Sequence, residues 1–237
     1  MEKKLYKKMF TMSFDDGTIQ DRRFINLIDK YNLKCTFNLN SGFLGQVHNI
    51  VHDGIQVCHD EVLPSEVNEL YKNHEIAVHT VNHPNLLDCT RGEIIREVNV
   101  DYECLTELSG KIIIGMAYPG GPFYNDFVIE TIQKNTPIRY ARTTNSSKTF
   151  DLPDNFMEWY PTCHQNDEEI MMLAEEFVNI EPQKDMLFYL WGHSFEFDKF
   201  NSWDNFENFC KFISGRSDIN YMTNNEVYHY LTTLQTK

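Results

Sequence analysis

Two adjacent carboxylates, Asp15 and Asp16, follow an alternating apolar run (Phe10, Met12, Phe14) and precede Gly17. Alternation reads as a strand, and Asp-Gly as the turn that ends it. Neighbouring side chains leaving a strand end point in different directions, so one can grip a metal while the other moves protons. The plainer reading of Asp-Asp-Gly is a solvated turn. His79 and His83, four apart, follow a second apolar run, Ile76 to Val78. Two imidazoles at that spacing can meet one ion, although histidine pairs have many other roles. Joined by Asp16 they form a two-histidine, one-carboxylate set with open positions, which suits zinc hydrolysis or non-heme iron. Pro84 biases His83 away from helical torsions, so the pair is expected in a loop. Tyr118-Pro119-Gly120-Gly121 and His193 also follow apolar runs. The chain shows no Gly-rich phosphate loop and no Gly-x-Ser-x-Gly elbow, which argues against nucleotide and serine esterase chemistry.

The elements that must position these groups alternate. Phe24, Leu27, Ile28 and Tyr31 fall at helical spacing, predicting an amphipathic helix over 20–31. A strand is expected over 35–39. A long irregular stretch to about residue 63 follows, read as a cleft wall; its His48, His52, Asp53 and His59 are read as ordinary loop polarity. A short helix is expected over 64–73 and a strand over 75–78. Thr90-Arg91-Gly92-Glu93 is a capping box that opens a helix stopped by Gly110. Strands are then predicted at 111–116, 138–142, 156–162, 186–191 and 221–222. Between them lie helices around 127–132 and over 167–180 and 203–213. A second capping box, Thr223 to Glu226, opens a last helix through Leu234. Strands alternating with helices mean parallel βα units. The expectation is one domain, residues 1–237, folded as a distorted α/β barrel of about seven parallel strands, with an open doubly wound sheet as the alternative. In a barrel, chemistry gathers at the C-terminal strand ends, where all four polar constellations fall.

The 237 residues are 41% hydrophobic and include 17 Phe, 12 Tyr and 3 Trp, enough for a sizeable core. A net charge of −14 argues against nucleic acid or an anionic membrane as partner. Lys3, Lys4, Lys7 and Lys8 read as a basic leader to the first strand. No apolar segment suits a membrane span or a signal peptide, so a cytoplasmic location is expected. Six scattered cysteines without a Cys-x-x-Cys pair read as reduced, mostly buried thiols.

Ser13-Phe14-Asp15-Asp16-Gly17, His79-Thr80-Val81-Asn82-His83-Pro84-Asn85, Ala117-Tyr118-Pro119-Gly120-Gly121 and Leu190-Trp191-Gly192-His193 resemble, in order, the motifs of the polysaccharide deacetylase (NodB-homology) family of carbohydrate esterases. The resemblance implies a distorted (β/α) barrel and removal of N- or O-linked acetyl groups from an acetylated poly- or oligosaccharide. It implies a divalent metal, zinc first with iron, cobalt or nickel as alternatives, held by Asp16, His79 and His83. Asp15 is then the base that takes a proton from metal-bound water, and His193 the acid that protonates the leaving group. The Tyr118 N–H helps hold the oxyanion, with Pro119 and Gly120 beside it. Leu190, Tyr118, Trp159 and Trp191 are candidates for an acetyl slot and a sugar platform.

Two positions depart from the family pattern. Ala117 stands where many members carry an arginine that tethers the base. Arg142 is a candidate substitute, its plainer reading being a surface arginine. The fourth motif is replaced by Asn155-Phe156-Met157-Glu158-Trp159, in which Glu158 is a candidate partner for His193, with His164 as another. Two alternatives follow: a catalytically impaired carbohydrate-binding protein on the same fold, and a hydrolase of a small non-sugar amide.

Overall fold

The computed structural model describes residues 7–52 and 54–235, so Lys3, Lys4 and Asp53 lie outside the described residues, as does the side chain of His52. The chain begins with β1 (Lys8–Asp16), α1 (Asp21–Lys30) and β2 (Thr36–Leu39), then a hairpin of β3 (Asn49–His52) and β4 (Ile55–Cys58). A 3-10 turn at Pro64–Glu66 leads into α2 (Val67–Leu70), followed by β5 (Glu75–Val78), α3 (Arg91–Ser109), β6 (Gly115–Ala117), α4 (Asp126–Asn135) and β7 (Tyr140–Arg142). After these come β8 (Cys163–His164), α5 (Ile170–Asn179), β9 (Met186–His193), α6 (Phe195–Lys199), α7 (Trp203–Ile213), β10 (Ile219–Tyr221) and α8 (Asn224–Gln235).

Seven parallel strands run in the order β7-β6-β5-β2-β1-β9-β8, with β10 also on β1. β1 takes β9 along one side; on the other it pairs with β2 at Ser13–Asp16 and with β10 at Lys8–Phe10. The sheet curls. Its two edges approach through the segment after β7, where Trp159 bridges Arg142 and Cys163–His164 pair with β9. The architecture is the expected distorted (β/α) barrel.

Both faces of β1 are covered, so Lys8 to Asp15 are all buried. Phe10, Met12 and Phe14 pack outward into the core beneath the helices. Met9, Thr11, Ser13 and Asp15 face the barrel interior. There Met9 meets Tyr140, Trp159, Leu187 and Tyr189. Side chains alternate between faces along a strand, so β9 sends Leu187, Tyr189, Trp191 and His193 inward and Phe188 and Leu190 outward. Helix α8 closes the far end. The Thr11 hydroxyl donates to Asn224 Oδ1 at 2.9 Å, Asn224 Nδ2 donates to the Tyr189 hydroxyl at 2.5 Å, and Val227 and Leu231 join the interior cluster.

Both capping boxes form: Thr90 N donates to Glu93 Oε2 and Thr223 N to Glu226 Oε2, each at 2.7 Å. Gly110 ends α3 in a left-handed conformation, φ 67°. Three segments differ from expectation. The stretch before residue 63 contains the β3–β4 hairpin. The 111–116 strand begins only at Gly115, because Ile112 is 81% exposed and Lys111 instead donates to the carbonyls of Tyr71 and His74. The 156–162 strand does not form: Phe156–Glu158 is a 3-10 turn, Trp159 makes an isolated bridge to Arg142, and the strand is Cys163–His164. The six thiols are free, three of them buried and three half-buried. Among the described residues no helix is long and apolar enough to cross a membrane.

Candidate active site

Parallel register brings the strand ends level. Asp15 pairs in register with Asn38 on β2 and with His193 on β9. Asn38 Nδ2 donates to Asp15 Oδ1 at 2.8 Å, and Arg142 Nη2 donates to Asp15 Oδ2. Arg142 is wholly buried, with its guanidinium 4.6 Å from the centre of the Trp191 ring. It is therefore no surface arginine. Burial pushes the Asp15 carboxyl up, but Arg142, with His79 and His193, outweighs burial and holds it below the usual carboxylate range.

Asp16 has φ 78°, a left-handed conformation uncommon outside glycine. That turn breaks the strand alternation and brings Asp16 to the same cleft as Asp15. Burial raises its carboxyl, but hydrogen bonding to His59 and the neighbouring His193 and His79 hold it well below its ordinary value.

His79 and His83 lie in a loop, as Pro84 implied. Thr80 and His83 are left-handed, φ 69° and 51°. Such strain persists only where the surroundings over-determine it, and they do. Asn40 Nδ2 donates to the carbonyls of His79 and Thr80 at 2.6 and 2.8 Å. Glu97 accepts from the Asn82 N–H and amide at 2.9 and 2.8 Å. Asp101 accepts from the His79 N–H at 3.0 Å and the Ser41 N–H at 2.7 Å. Asp101→Ala is expected to orphan two backbone donors, at about 1–3 kcal/mol each, measurable by denaturant unfolding.

His79 Nδ1 donates to the Ala117 carbonyl at 2.9 Å, so its Nε2 lone pair faces the cleft. Burial pushes the pKa of His79 down to about 4, which keeps the ring neutral. Its Nε2 lies 3.8 Å from both Asp15 Oδ2 and Asp16 Oδ1. One ligand atom each from Asp16, His79 and His83 lie within 4.8 Å of one another.

Opposite them, His193 Nε2 lies 3.9 Å from Asp15 Oδ2 and 4.0 Å from Asp16 Oδ2. Its Nδ1 faces Glu196 Oε1 at 3.3 Å, and His164 Nε2 reaches the other Glu196 oxygen at 3.4 Å. Burial lowers the pKa of His193, but the adjacent Glu196 carboxylate and the two aspartates outweigh it and raise it to about 9. Glu196, on α6, thus stands beside His193 where Glu158 was a candidate. Glu158 instead accepts from Asn155 Nδ2 at 2.9 Å and lines a separate depression with Asp154 and Tyr160.

The third motif and the aromatics are placed differently from expectation. The Tyr118 N–H donates to the Arg142 carbonyl at 3.0 Å. It is spent on the β6–β7 ladder rather than aimed at an oxyanion. The Tyr118 hydroxyl donates to the Met157 carbonyl at 2.9 Å, and its ring stacks on Tyr124. Pro119 is buried beside it. Gly120, φ 72°, lines the cleft; a Cβ there would meet Phe123 at 3.1 Å and approach His83. Trp159 packs inside the barrel against Tyr140 and Tyr189, and Leu190 faces the helices. Of the proposed slot residues, Tyr118 and Trp191 line the cleft.

The remaining wall comes from the segment read as loop polarity. His59 lies against Asp16, and His48, Ile50, Phe43 and Phe195 line the same cavity of about 410 Å³. A carboxylate with two imidazoles can hold a divalent cation. A second, ionised carboxylate and a protonated imidazole stand beside this group, 3.9 Å from each other. That pairing suits hydrolysis by an activated water.

No curated protein sequence matches this chain significantly. Among solved structures, the CE4 domain of a multidomain xylanase from the hindgut metagenome of Trinervitermes trinervoides is 14% identical, with 95% of this chain and 92% of that one covered and a TM-score of 0.57. A CE4 family pseudoenzyme from Bacillus anthracis is 15% identical, with coverage of 87% and 62% and a TM-score of 0.55. A polysaccharide deacetylase from Bacillus cereus is 20% identical over 62% of this chain, with a TM-score of 0.50. The chain spans only 44% of that protein. These likenesses establish the fold. The sequence profile described as "Polysaccharide deacetylase" matches residues 2–141, more than half of the chain and inclusive of Asp15, Asp16, His79, His83 and Tyr118. The chain belongs to the polysaccharide deacetylase family.

Proposed function

We propose that the protein is a divalent-metal-dependent hydrolase that removes acetyl groups from an acetylated oligo- or polysaccharide. The carrying observation is the donor group Asp16, His79 and His83 standing against Asp15 and His193 in one cleft. The donor chemistry fits the cation: His79 is neutral and fixed in the tautomer that turns Nε2 inward, and Asp16 stays ionised. Oxygen and nitrogen donors in this ratio favour zinc, with iron, cobalt and nickel as competitors. When bound, such a cation polarises the acetyl carbonyl and acidifies water.

The chain's own residues do the rest. Asp15, kept ionised and oriented by Arg142 and Asn38, takes the proton of the attacking water. His193, charged and held by Glu196, gives a proton to the departing amine or alkoxide. Trp191 shapes the cleft floor. A positioned base and acid each contribute typically about 10²–10⁴-fold.

Elemental analysis of protein purified without chelator, beside Asp16→Ala, is the first test. It is paired with acetate release from acetylated chito- and xylo-oligosaccharides. Near-stoichiometric metal that disappears in Asp16→Ala, with metal-dependent acetate release, is the expected result. One observation favours a second reading, a catalytically impaired saccharide-binding protein: the Tyr118 N–H is occupied by the Arg142 carbonyl. Saccharide binding with bound metal and no acetate release selects that reading.

A further inference from the structure

We infer that His59 is a positioning residue for Asp16: it donates from Nε2 to Asp16 Oδ2, is oriented by Glu61, and so presents the other carboxylate oxygen to His79. The inference rests on the proposed Asp16, His79 and His83 cation group. Asp16 sits at a left-handed turn, where strand geometry no longer aims its side chain. Something else must do so. His59 Nε2 lies 3.3 Å from Asp16 Oδ2, while Asp16 Oδ1 is the oxygen that faces His79 Nε2 at 3.8 Å. The other nitrogen of His59 lies 2.9 Å from Glu61 Oε1. An ionised carboxylate only accepts hydrogen bonds, so the imidazole supplies the N–H that holds Asp16.

The two ends of this chain of contacts are sewn together. The Ile19 N–H donates to the Asp60 carbonyl at 2.8 Å, and the Val62 N–H to the Gly17 carbonyl at 3.0 Å. Thr18 and Glu61 form an antiparallel bridge. The strap carrying His59 is thus fixed to the turn that follows Asp16. The His59 ring is clamped between Phe195, 4.7 Å away, and His48, 5.2 Å away, and the Glu61 side chain is fully buried. His59 falls outside the Asp16, His79 and His83 donor group and clusters with His48 and Glu61 instead. Both of its nitrogens already face carboxylates. That is the arrangement of a residue acting through a ligand. Partners of this kind alter metal affinity by about 10–100-fold when removed.

The test is zinc affinity of the full chain by competition with a chromophoric chelator, with stoichiometry by elemental analysis. One zinc per wild-type chain is expected. His59→Ala should still take up one zinc, with affinity about 10–100-fold weaker, and His59→Gln, whose amide N–H reaches the same place, should regain most of the loss. Glu61→Met, which frees the ring to rotate, should also weaken binding and carries the test if His59→Ala does not fold. Unchanged affinity in both His59→Ala and Glu61→Met overturns the inference, as does a His59→Gln as weak as His59→Ala. Two zinc ions per wild-type chain, one of them lost in His59→Ala, overturns it too and makes His48, His59 and Glu61 a site of their own. A wild-type chain that takes up no zinc sinks the reading of Asp16, His79 and His83 itself.

Discussion

Arg142→Met is expected to destabilise the protein by about 3–5 kcal/mol, the usual cost of removing one partner of a buried ion pair. Arg142 and Asp15 are 127 residues apart in sequence, both buried, and joined through Nη2 and Oδ2. Methionine fills much of the arginine stem's volume, so the loss is chiefly electrostatic. It strands the Asp15 carboxylate in the barrel interior with Asn38 as its remaining neutral donor. A native domain has only about 5–15 kcal/mol to lose, so the shift in denaturant midpoint should be large. The double variant Asp15→Asn with Arg142→Met removes both charges and should cost far less than the sum of the two singles, because replacing a whole buried pair is often neutral. Additive costs in that cycle would show that the pair is not coupled. The Arg142 guanidinium also lies over Trp191 and Arg142 Nη1 donates to the Thr143 carbonyl at 3.1 Å, so some cost should survive in the double variant.

Asp15→Asn is expected to keep the cation and to lower acetate release by about 10²–10⁴-fold, the usual worth of a general base. The amide has the shape of the carboxylate and its Oδ1 can still accept from Asn38, but it cannot take a proton from water. The ligand set is untouched, since Asp16, His79 and His83 hold the proposed site without Asp15. The asparagine leaves Arg142 without its counter-charge, so turnover should be compared at a temperature where unfolding curves show both proteins native. Metal content falling with activity would place Asp15 among the ligands. Unchanged turnover with metal retained would remove it as the base. A loss of kcat with little change in KM is the signature expected of a group acting only in the transition state.

Which side chains meet was legible from sequence only where strand ends or short spacing settle it. The alternation of Phe10, Met12 and Phe14, the abrupt stop at Asp15-Asp16-Gly17 and the capping boxes are local patterns, governed by side-chain period and backbone donors within a few residues. A parallel sheet then puts every strand end on one side, so Asp16, His79, His83 and His193 had to converge. The partners that hold them had no such signal. Arg142 finds Asp15 through the curl of the sheet, Asp101 caps the His79 N–H from a helix, and His59 arrives on a strap; Glu196 is the exception, three residues after His193 on the short helix that follows β9, a local spacing the sequence reading passed over. Orientation was equally out of reach for Trp159 and Leu190. Both are apolar beside the motifs, but which face of a curled sheet each side chain takes depends on where the neighbouring strands lie. Identity and spacing determined the chemistry this chain can attempt; only the curled sheet decided which distant groups hold it in place, because those contacts join residues that no local period relates.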